Sequence, residues 1–276
     1  MPDVALEPLR ARLRELHSVV VAFSGGADSA FLAWVAHDTL GVDGALAVTA
    51  VSPSLPTAER DACGALAAGW GMPWQEVETH ELDNPDYARN DLDRCYWCKD
   101  ALMAAAGPVA EARRATVVLG VNVDDLNDHR PGQRAATERG AAFPLVDAGF
   151  TKADVRAWSR ELGLVTWDKP AAACLASRLP YGTAVTPERL LQVEAAERAL
   201  REIGIAGDLR VRHHGDLARV ELAPDELEAW LAPARHAALH RAVSAGGFAR
   251  VCLDLRGFRS GSLNVLGGVS DPANNA

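Results

Sequence analysis

Long apolar runs, cysteine and excess positive charge are all scarce in this chain, and each shortage removes a class of function. No apolar stretch reaches the about 18 residues that a membrane-spanning helix needs, which argues against a membrane partner. Five cysteines in 276 residues are too few for a disulfide-built secreted scaffold, so thiol or metal chemistry becomes the better reading. Lys and Arg number 28 against 37 Asp and Glu, a formal net charge of −9 with no basic run, which disfavours extended binding to nucleic acid. Residues 1–18 mix charges into a helical pattern without the apolar core of a signal peptide, so the expected location is the cytoplasm. There are no internal repeats, and the only tract expected to fray is the polar tail at 271–276.

What is present suffices for a substantial core, since 49% of the residues are hydrophobic. A short amphipathic helix is expected at 8–17. The valine-rich run 18–23 then reads as a fully buried strand, followed by a glycine-containing loop and a helix to about residue 40. Strands at 45–51, 73–79 and 116–121 alternate with helices at 57–70 and 99–114, and a polar segment precedes the last of these. The alternation implies an α/β fold, a parallel sheet with helices on both faces. A further helix starts after Thr151, where Thr151 and Asp154 form a capping box.

The composition of Trp167-Asp168-Lys169-Pro170-Ala171 marks a boundary, giving an expected first domain at 1–168 and a second at 169–276. The second reads as a smaller α+β domain. Its helix at 187–203 places Val193, Ala196, Leu200 and Ile203 on one face. Strands at 209–213 and 219–222, a helical region at 224–244 and a strand at 249–255 follow.

Ser24-Gly25-Gly26-Ala27-Asp28-Ser29 is the most informative element. Its glycines let backbone approach a ligand closely, and the loop feeds the start of a helix, where unpaired amides favour an anion. Ser24 and Ser29 add hydroxyls; Asp28 suits a helix cap or a magnesium ion better than a phosphate contact. The loop is neither a Walker A sequence nor GxGxxG. After a buried strand it resembles the PP-loop of ATP pyrophosphatases, a Rossmann-like fold, and the resemblance implies an enzyme that transfers AMP and releases pyrophosphate.

Cys95-Tyr96-Trp97-Cys98 is a CxxC pair followed by Lys99, and Cys174 stands alone in Ala173-Cys174-Leu175-Ala176-Ser177-Arg178. Three thiols suit a 4Fe–4S cluster with one iron left open; a zinc site completed by His129 and a thioredoxin-type redox pair are the other readings. Cys63 in a helix and Cys252 in a strand read as core residues. Lys99 and Arg178, each close in sequence to a site cysteine, suit lowering a thiol pKa or holding an acyl adenylate, against plain surface solvation. Arg210 and Arg212 project to one face of a strand and fit a nucleotide phosphate, against a plain exposed charged strand face, whereas His213 and His214 point to opposite faces. Asn122, Asp124 and Asp125 follow a buried strand, where parallel sheets place ligand groups, and Asp125 suits magnesium or the acyl adenylate. Glu194 and Glu197 read as the solvated side of a helix.

Taken together, the glycine loop, Arg94-Cys95-Tyr96-Trp97-Cys98-Lys99, Gly120-Val121-Asn122-Val123-Asp124-Asp125, Arg130-Pro131-Gly132, Trp167-Asp168-Lys169-Pro170, Cys174-Leu175-Ala176-Ser177-Arg178 and Pro180-Tyr181-Gly182 resemble the LarE family in order. Arg210-Val211-Arg212-His213 and Asp254-Leu255-Arg256-Gly257-Phe258 continue the likeness across nearly the whole chain. LarE is the ATP-dependent sulfur transferase that builds the organic part of the nickel-pincer nucleotide cofactor. The resemblance implies pyridinium-3,5-biscarboxylic acid mononucleotide as substrate, ATP with Mg2+ for adenylation, and a homo-oligomer. It also implies two sulfur modes: sacrifice of the sulfur of the cysteine matching Cys174, or a 4Fe–4S cluster on Cys95, Cys98 and Cys174. All three cysteines are here, which favours the cluster; the sulfide source or donor protein is not legible in the sequence. The competing readings are a PP-loop tRNA thiolase, which the acidity opposes, an amide ligase of the NAD or GMP synthetase kind, and a zinc-stabilised nucleotide-binding regulator without turnover.

Overall fold

The computed structural model describes residues 4–127, 131–170 and 173–259. His129, Arg130 and the tail at 271–276 lie outside the described residues. In chain order the helices are α1 (Glu7–Leu16), α2 (Ala27–Gly44), α3 (Thr57–Trp70), α4 (Pro85–Ala88), α5 (Arg94–Arg113), α6 (Pro131–Glu138), α7 (Pro144–Asp147), α8 (Lys152–Glu161), α9 (Pro187–Glu202), α10 (Pro224–Leu231) and α11 (Pro233–Ala245). The strands are β1 (Val19–Ala22), β2 (Ala45–Val51), β3 (Trp74–Glu78), β4 (Thr116–Leu119), β5 (Leu209–His214), β6 (Leu217–Leu222) and β7 (Arg250–Leu253). The chain divides into two compact units, one of Met1–Glu81 with Cys95–Ala172, the other of Leu82–Arg94 with Ala173–Ala276.

The first unit holds a parallel sheet in the order β3-β2-β1-β4. β1, β2 and β4 are largely apolar on both sides because both sides are covered, whereas the edge strand β3 carries Gln75, Glu76 and Glu78. Val19, Val21, Ala45, Ala47 and Val118 pack with Leu9 and Leu13 of α1, Phe31 and Val35 of α2 and Val155 of α8. Val20, Leu46, Val48, Val117 and Leu119 pack with Met103, Ala106 and Ala110 of α5 and Ala136 of α6. The expected α/β fold with helices on both faces is thus present. Between β1 and β4 the strand order reverses, and such a switch point leaves a crevice at the carboxyl ends of the strands. The Thr151 side chain accepts from Asp154 N and the Asp154 side chain from Thr151 N, completing the expected capping box.

The second unit carries a three-stranded sheet in the order β5-β6-β7, antiparallel then parallel. Val193, Ala196 and Leu200 of α9 are buried as the periodicity predicts, but Ile203 caps the helix and is exposed. The helical region beyond residue 223 is two helices, because Ala232 takes an extended conformation ahead of Pro233. Cys252, expected in the core, is exposed: β7 is an edge strand, and Cys252 lies in register with Arg219 on the polar face of the sheet. Among the described residues no helix is long and apolar enough to cross a membrane.

Candidate active site

In the first unit the glycine loop leaves β1 and enters α2, whose N-cap, Gly26, has no side chain to satisfy the first-turn amides. Unpaired first-turn amides and the helix dipole together suit an anion. Ser29 Oγ donates to Gly26 O at 3.1 Å, accepts from Ser24 N at 3.3 Å and lies 3.1 Å from Ser24 Oγ, which ties the two ends of the loop together. Gly25 sits at φ +66, a conformation that side chains resist. At the end of β4, a Cβ on Gly120 would lie 2.8 Å from Ser29 N and 2.9 Å from the Asp28 carbonyl carbon. The end of β4 and the start of α2 therefore approach backbone to backbone, a contact that only glycine permits.

Just beyond Gly120, buried Asn122 donates to Asp28 Oδ1 at 3.2 Å, and Asn122 N donates to Asp125 Oδ2 at 3.2 Å. Asp125 also pairs with Lys152 Nζ at 3.0 Å, while exposed Asp124 accepts from Lys152 N at 2.8 Å. The sequence-predicted set Ser24, Gly25, Gly26, Asp28, Ser29, Asn122 and Asp125 thus comes together around one helix start. Burial pushes the Asp28 carboxyl above its ordinary range; the Asn122 hydrogen bond opposes this, and the nearby Asp125 charge adds to it.

The Asp28 shift has a consequence for stability. A carboxyl whose pKa is raised on folding costs nothing below its unfolded value, 3.8, and destabilises progressively as pH rises through the folded value. Asp28→Asn is therefore expected to raise the thermal midpoint of the ligand-free protein at pH 8, with the gain vanishing by pH 3.5. A midpoint difference that is independent of pH would contradict this.

Cys95 and Cys98 occupy the first turn of α5, whereas the sequence placed them in a polar segment ahead of a helix at 99–114. Their i, i+3 spacing puts both on one side of the helix, with Cys95 exposed and Cys98 half-buried. Lys99 follows on the same helix, half-buried.

Cys174 belongs to the second unit, half-buried at the start of a 3-10 turn, Leu175–Arg178. Its carbonyl accepts from Ser177 Oγ at 2.7 Å and from Arg178 Nη1 at 3.0 Å. Arg178 is not surface-solvated: only 4% exposed, it grips Glu197 with Nε at 3.0 Å and Nη2 at 2.9 Å. Glu197 also accepts from Val211 N at 2.9 Å, so the expectation of a solvated helix side at Glu194 and Glu197 is corrected; both are half-buried. Arg212 donates to Ser177 O at 3.1 Å and is held by Glu221, which is 0% exposed, at 2.7 and 2.9 Å. Glu221 in turn holds Arg219 at 3.0 Å, which reaches Asp254 at 3.2 Å. Arg210 does share the sheet face of Arg212, stacked 4.9 Å over Phe258. Burial lowers its pKa, and the charges of Arg178 and Arg212 lower it further. Three guanidinium groups thus lie close together, Arg178 and Arg212 each paired with a carboxylate, and the Glu197 charge opposes the lowering at Arg210. His213 and His214 diverge as expected, His213 turning inward against Phe248.

Sequence reasoning missed a further clamp on the Cys174 segment. Arg94 donates to Ala176 O at 3.0 Å and lies 5.7 Å over the Tyr181 ring. Asn90, buried and at φ 62, accepts from Arg94 and donates to Pro180 O at 2.9 Å and Thr183 O at 2.8 Å. The available signal was the position of Arg94, one peptide bond before Cys95. Among the described residues no group of three or more His, Cys, Asp or Glu side chains is gathered to hold one metal ion.

Comparison with known proteins bears on what these groups do. The chain is 43% identical over 265 residues to an uncharacterized protein of Synechocystis, covering 96% of this chain and 98% of that one. It is 39% identical over 257 residues to the pyridinium-3,5-bisthiocarboxylic acid mononucleotide synthase of Lactiplantibacillus plantarum, covering 93% of this chain and 92% of that one. An uncharacterized protein of Methanocaldococcus jannaschii is 26% identical over 243 residues, 88% of this chain and 91% of that one. No family model matches the chain.

Proposed function

The chain belongs to the LarE family of pyridinium-3,5-bisthiocarboxylic acid mononucleotide synthases, and from that premise we propose that it is an ATP-dependent sulfur transferase of nickel-pincer cofactor synthesis. The observation that carries the proposal is the 39% identity to the plantarum synthase along 93% of this chain. The substrate is pyridinium-3,5-biscarboxylic acid mononucleotide. A carboxylate oxygen of the substrate attacks the α-phosphorus of ATP and pyrophosphate leaves; sulfur then attacks the acyl carbon and AMP leaves with the oxygen. The sequence of steps repeats at the second carboxylate.

The residues present fit this chemistry. The uncapped start of α2 and the approach of Gly120 to Ser29 form a cradle of backbone amides for the phosphates of ATP. Asp28 and Asp125 fit Mg2+, which takes one or two carboxylates with substrate phosphates and water completing its shell. The role assigned to Asn122 is to orient Asp28. Arg210 and Arg212 fit the substrate phosphate, and the role assigned to Arg178 is to hold the Cys174 backbone through the Cys174 carbonyl. The role assigned to Lys99, one residue after Cys98 on the same helix, is to hold the acyl adenylate.

Cys95, Cys98 and Cys174 are soft thiolate donors of the kind that hold a 4Fe–4S cluster, Cys95 and Cys98 from the accessible first turn of α5. Such a cluster would supply reduced sulfur at an open iron, leaving Cys174 intact after turnover.

The test is turnover under exclusion of oxygen with ATP, Mg2+ and a sulfide source. Pyrophosphate release that depends on the biscarboxylate nucleotide, together with a thiocarboxylate product, is expected. Pyrophosphate release indifferent to that nucleotide, or thiolation of tRNA in its place, would reject the proposal.

A further inference from the structure

The glycine loop carries no lysine of its own, and phosphate loops commonly rely on one to place a positive charge beside the bound phosphates. A lysine reaches this loop from 144 residues further along the chain. Lys169 Nζ donates to Gly25 O at 3.1 Å and pairs with Glu59 Oε2 at 2.7 Å, and a Cβ on Gly25 would lie 3.8 Å from the same Nζ. Its side chain is only 22% exposed. The segment that delivers it is itself pinned: Arg156 of α8 donates to Trp167 O at 3.2 Å and Lys169 O at 3.3 Å, Lys169 N donates to Thr166 O at 3.1 Å, and Arg160 stacks 5.1 Å over Trp167. A flexible surface lysine would have none of these anchors.

We propose that Lys169 is the positioning residue of the ATP site, holding the Gly25 carbonyl turned away from the cradle and supplying the positive charge that the loop lacks. Glu59 is its counterweight, keeping the ammonium in place before ATP arrives and partly cancelling its field. The inference rests on the ATP-dependent reading above. It goes beyond that reading in assigning Lys169 and Glu59, which are chemically opposed, to one function with opposite signs.

The opposition supplies the test. Binding of α,β-methylene-ATP with Mg2+ is measured by calorimetry on the full chain, alongside thermal midpoints, for Lys169→Met, Lys169→Arg and Glu59→Gln. Lys169→Met is expected to weaken binding by roughly 10- to 100-fold, the worth of one charged hydrogen bond, with Lys169→Arg within about threefold of the parent. Glu59→Gln is expected to tighten binding by about two- to fivefold, because it removes a charge that competes for the ammonium. In turnover, Lys169→Met raises KM for ATP and leaves the affinity for the biscarboxylate nucleotide unchanged. A merely structural ion pair predicts otherwise: both Lys169→Met and Glu59→Gln would weaken ATP binding in step with a falling midpoint, and that result overturns the proposal. Equal analogue binding by Lys169→Met and the parent also overturns it, with the ATP-dependent reading intact. A parent protein that neither binds the analogue nor releases pyrophosphate overturns both.

Discussion

Cys174→Ala is expected to keep releasing pyrophosphate at close to the parent rate while sulfur transfer falls by a factor on the order of a thousand or more. The separation follows from where the atoms lie. The 173–178 segment is anchored through its backbone carbonyls: Arg178 to Ala173 O and Cys174 O, Ser177 to Cys174 O, Arg94 to Ala176 O, Arg212 to Ser177 O. Replacing Cys174 removes one half-exposed sulfur and leaves all of them in place, so the fold loses about 1 kcal/mol at most. The amide cradle belongs to the other compact unit, built from β1, α2 and β4, and keeps its own hydrogen bonds. Adenylation therefore proceeds, and the acyl adenylate accumulates or hydrolyses for want of a nucleophile. Thiocarboxylate formed by Cys174→Ala at an appreciable rate would reject the role of Cys174; loss of pyrophosphate release along with it would mean that the two half-reactions share more machinery than the account allows.

Gly120→Ala is expected to do the reverse, lowering pyrophosphate release by about 100-fold while an externally supplied acyl adenylate is still thiolated. The added methyl would lie 2.8 Å from Ser29 N and 2.9 Å from the Asp28 carbonyl carbon. Both are backbone atoms at the start of a helix and cannot rotate aside, so the loop itself must move. Overpacking of this kind costs about 1–3 kcal/mol, and a displacement approaching 1 Å in the phosphate cradle costs about 100-fold in rate. Gly69 of α3 makes the comparison: its Cβ would meet nothing within 4 Å, so Gly69→Ala should stabilise the helix slightly, by about 0.5–1 kcal/mol, with no effect on turnover. If Gly120→Ala and Gly69→Ala had the same pyrophosphate kinetics, the close approach of β4 to the loop would not be part of the adenylation site.

The sequence made some of this plain and hid the rest for physical reasons. The β1–loop–α2 unit was legible because a buried parallel strand must be an unbroken apolar run and the turn after it needs glycine, both local signals. The capping box at Thr151 and Asp154 was equally local. The start of α5 was misjudged because Arg94-Cys95-Tyr96-Trp97-Cys98 has the look of a polar connection, yet Arg94 is buried on Asn90 and Ala176 and opens the helix. Edge position misled at Cys252, since periodicity cannot tell an edge strand from a central one. Glu197 looked like a solvent-facing helix residue because its partner, Arg178, lies 19 residues away, and no periodic pattern reports an ion pair across that distance. The lysine on the glycine loop was hidden for the same reason, at greater separation. Its motif, Trp167-Asp168-Lys169-Pro170, was visible, but the contact that gives it meaning is tertiary.

The central claim is that a substrate carboxylate, and not water, attacks ATP. It is tested most directly by supplying pyridinium-3,5-biscarboxylic acid mononucleotide with 18O in its carboxylates and weighing the AMP released on turnover. One heavy oxygen in each AMP, matched by one sulfur gained in the product, is the predicted result; AMP without label would contradict it.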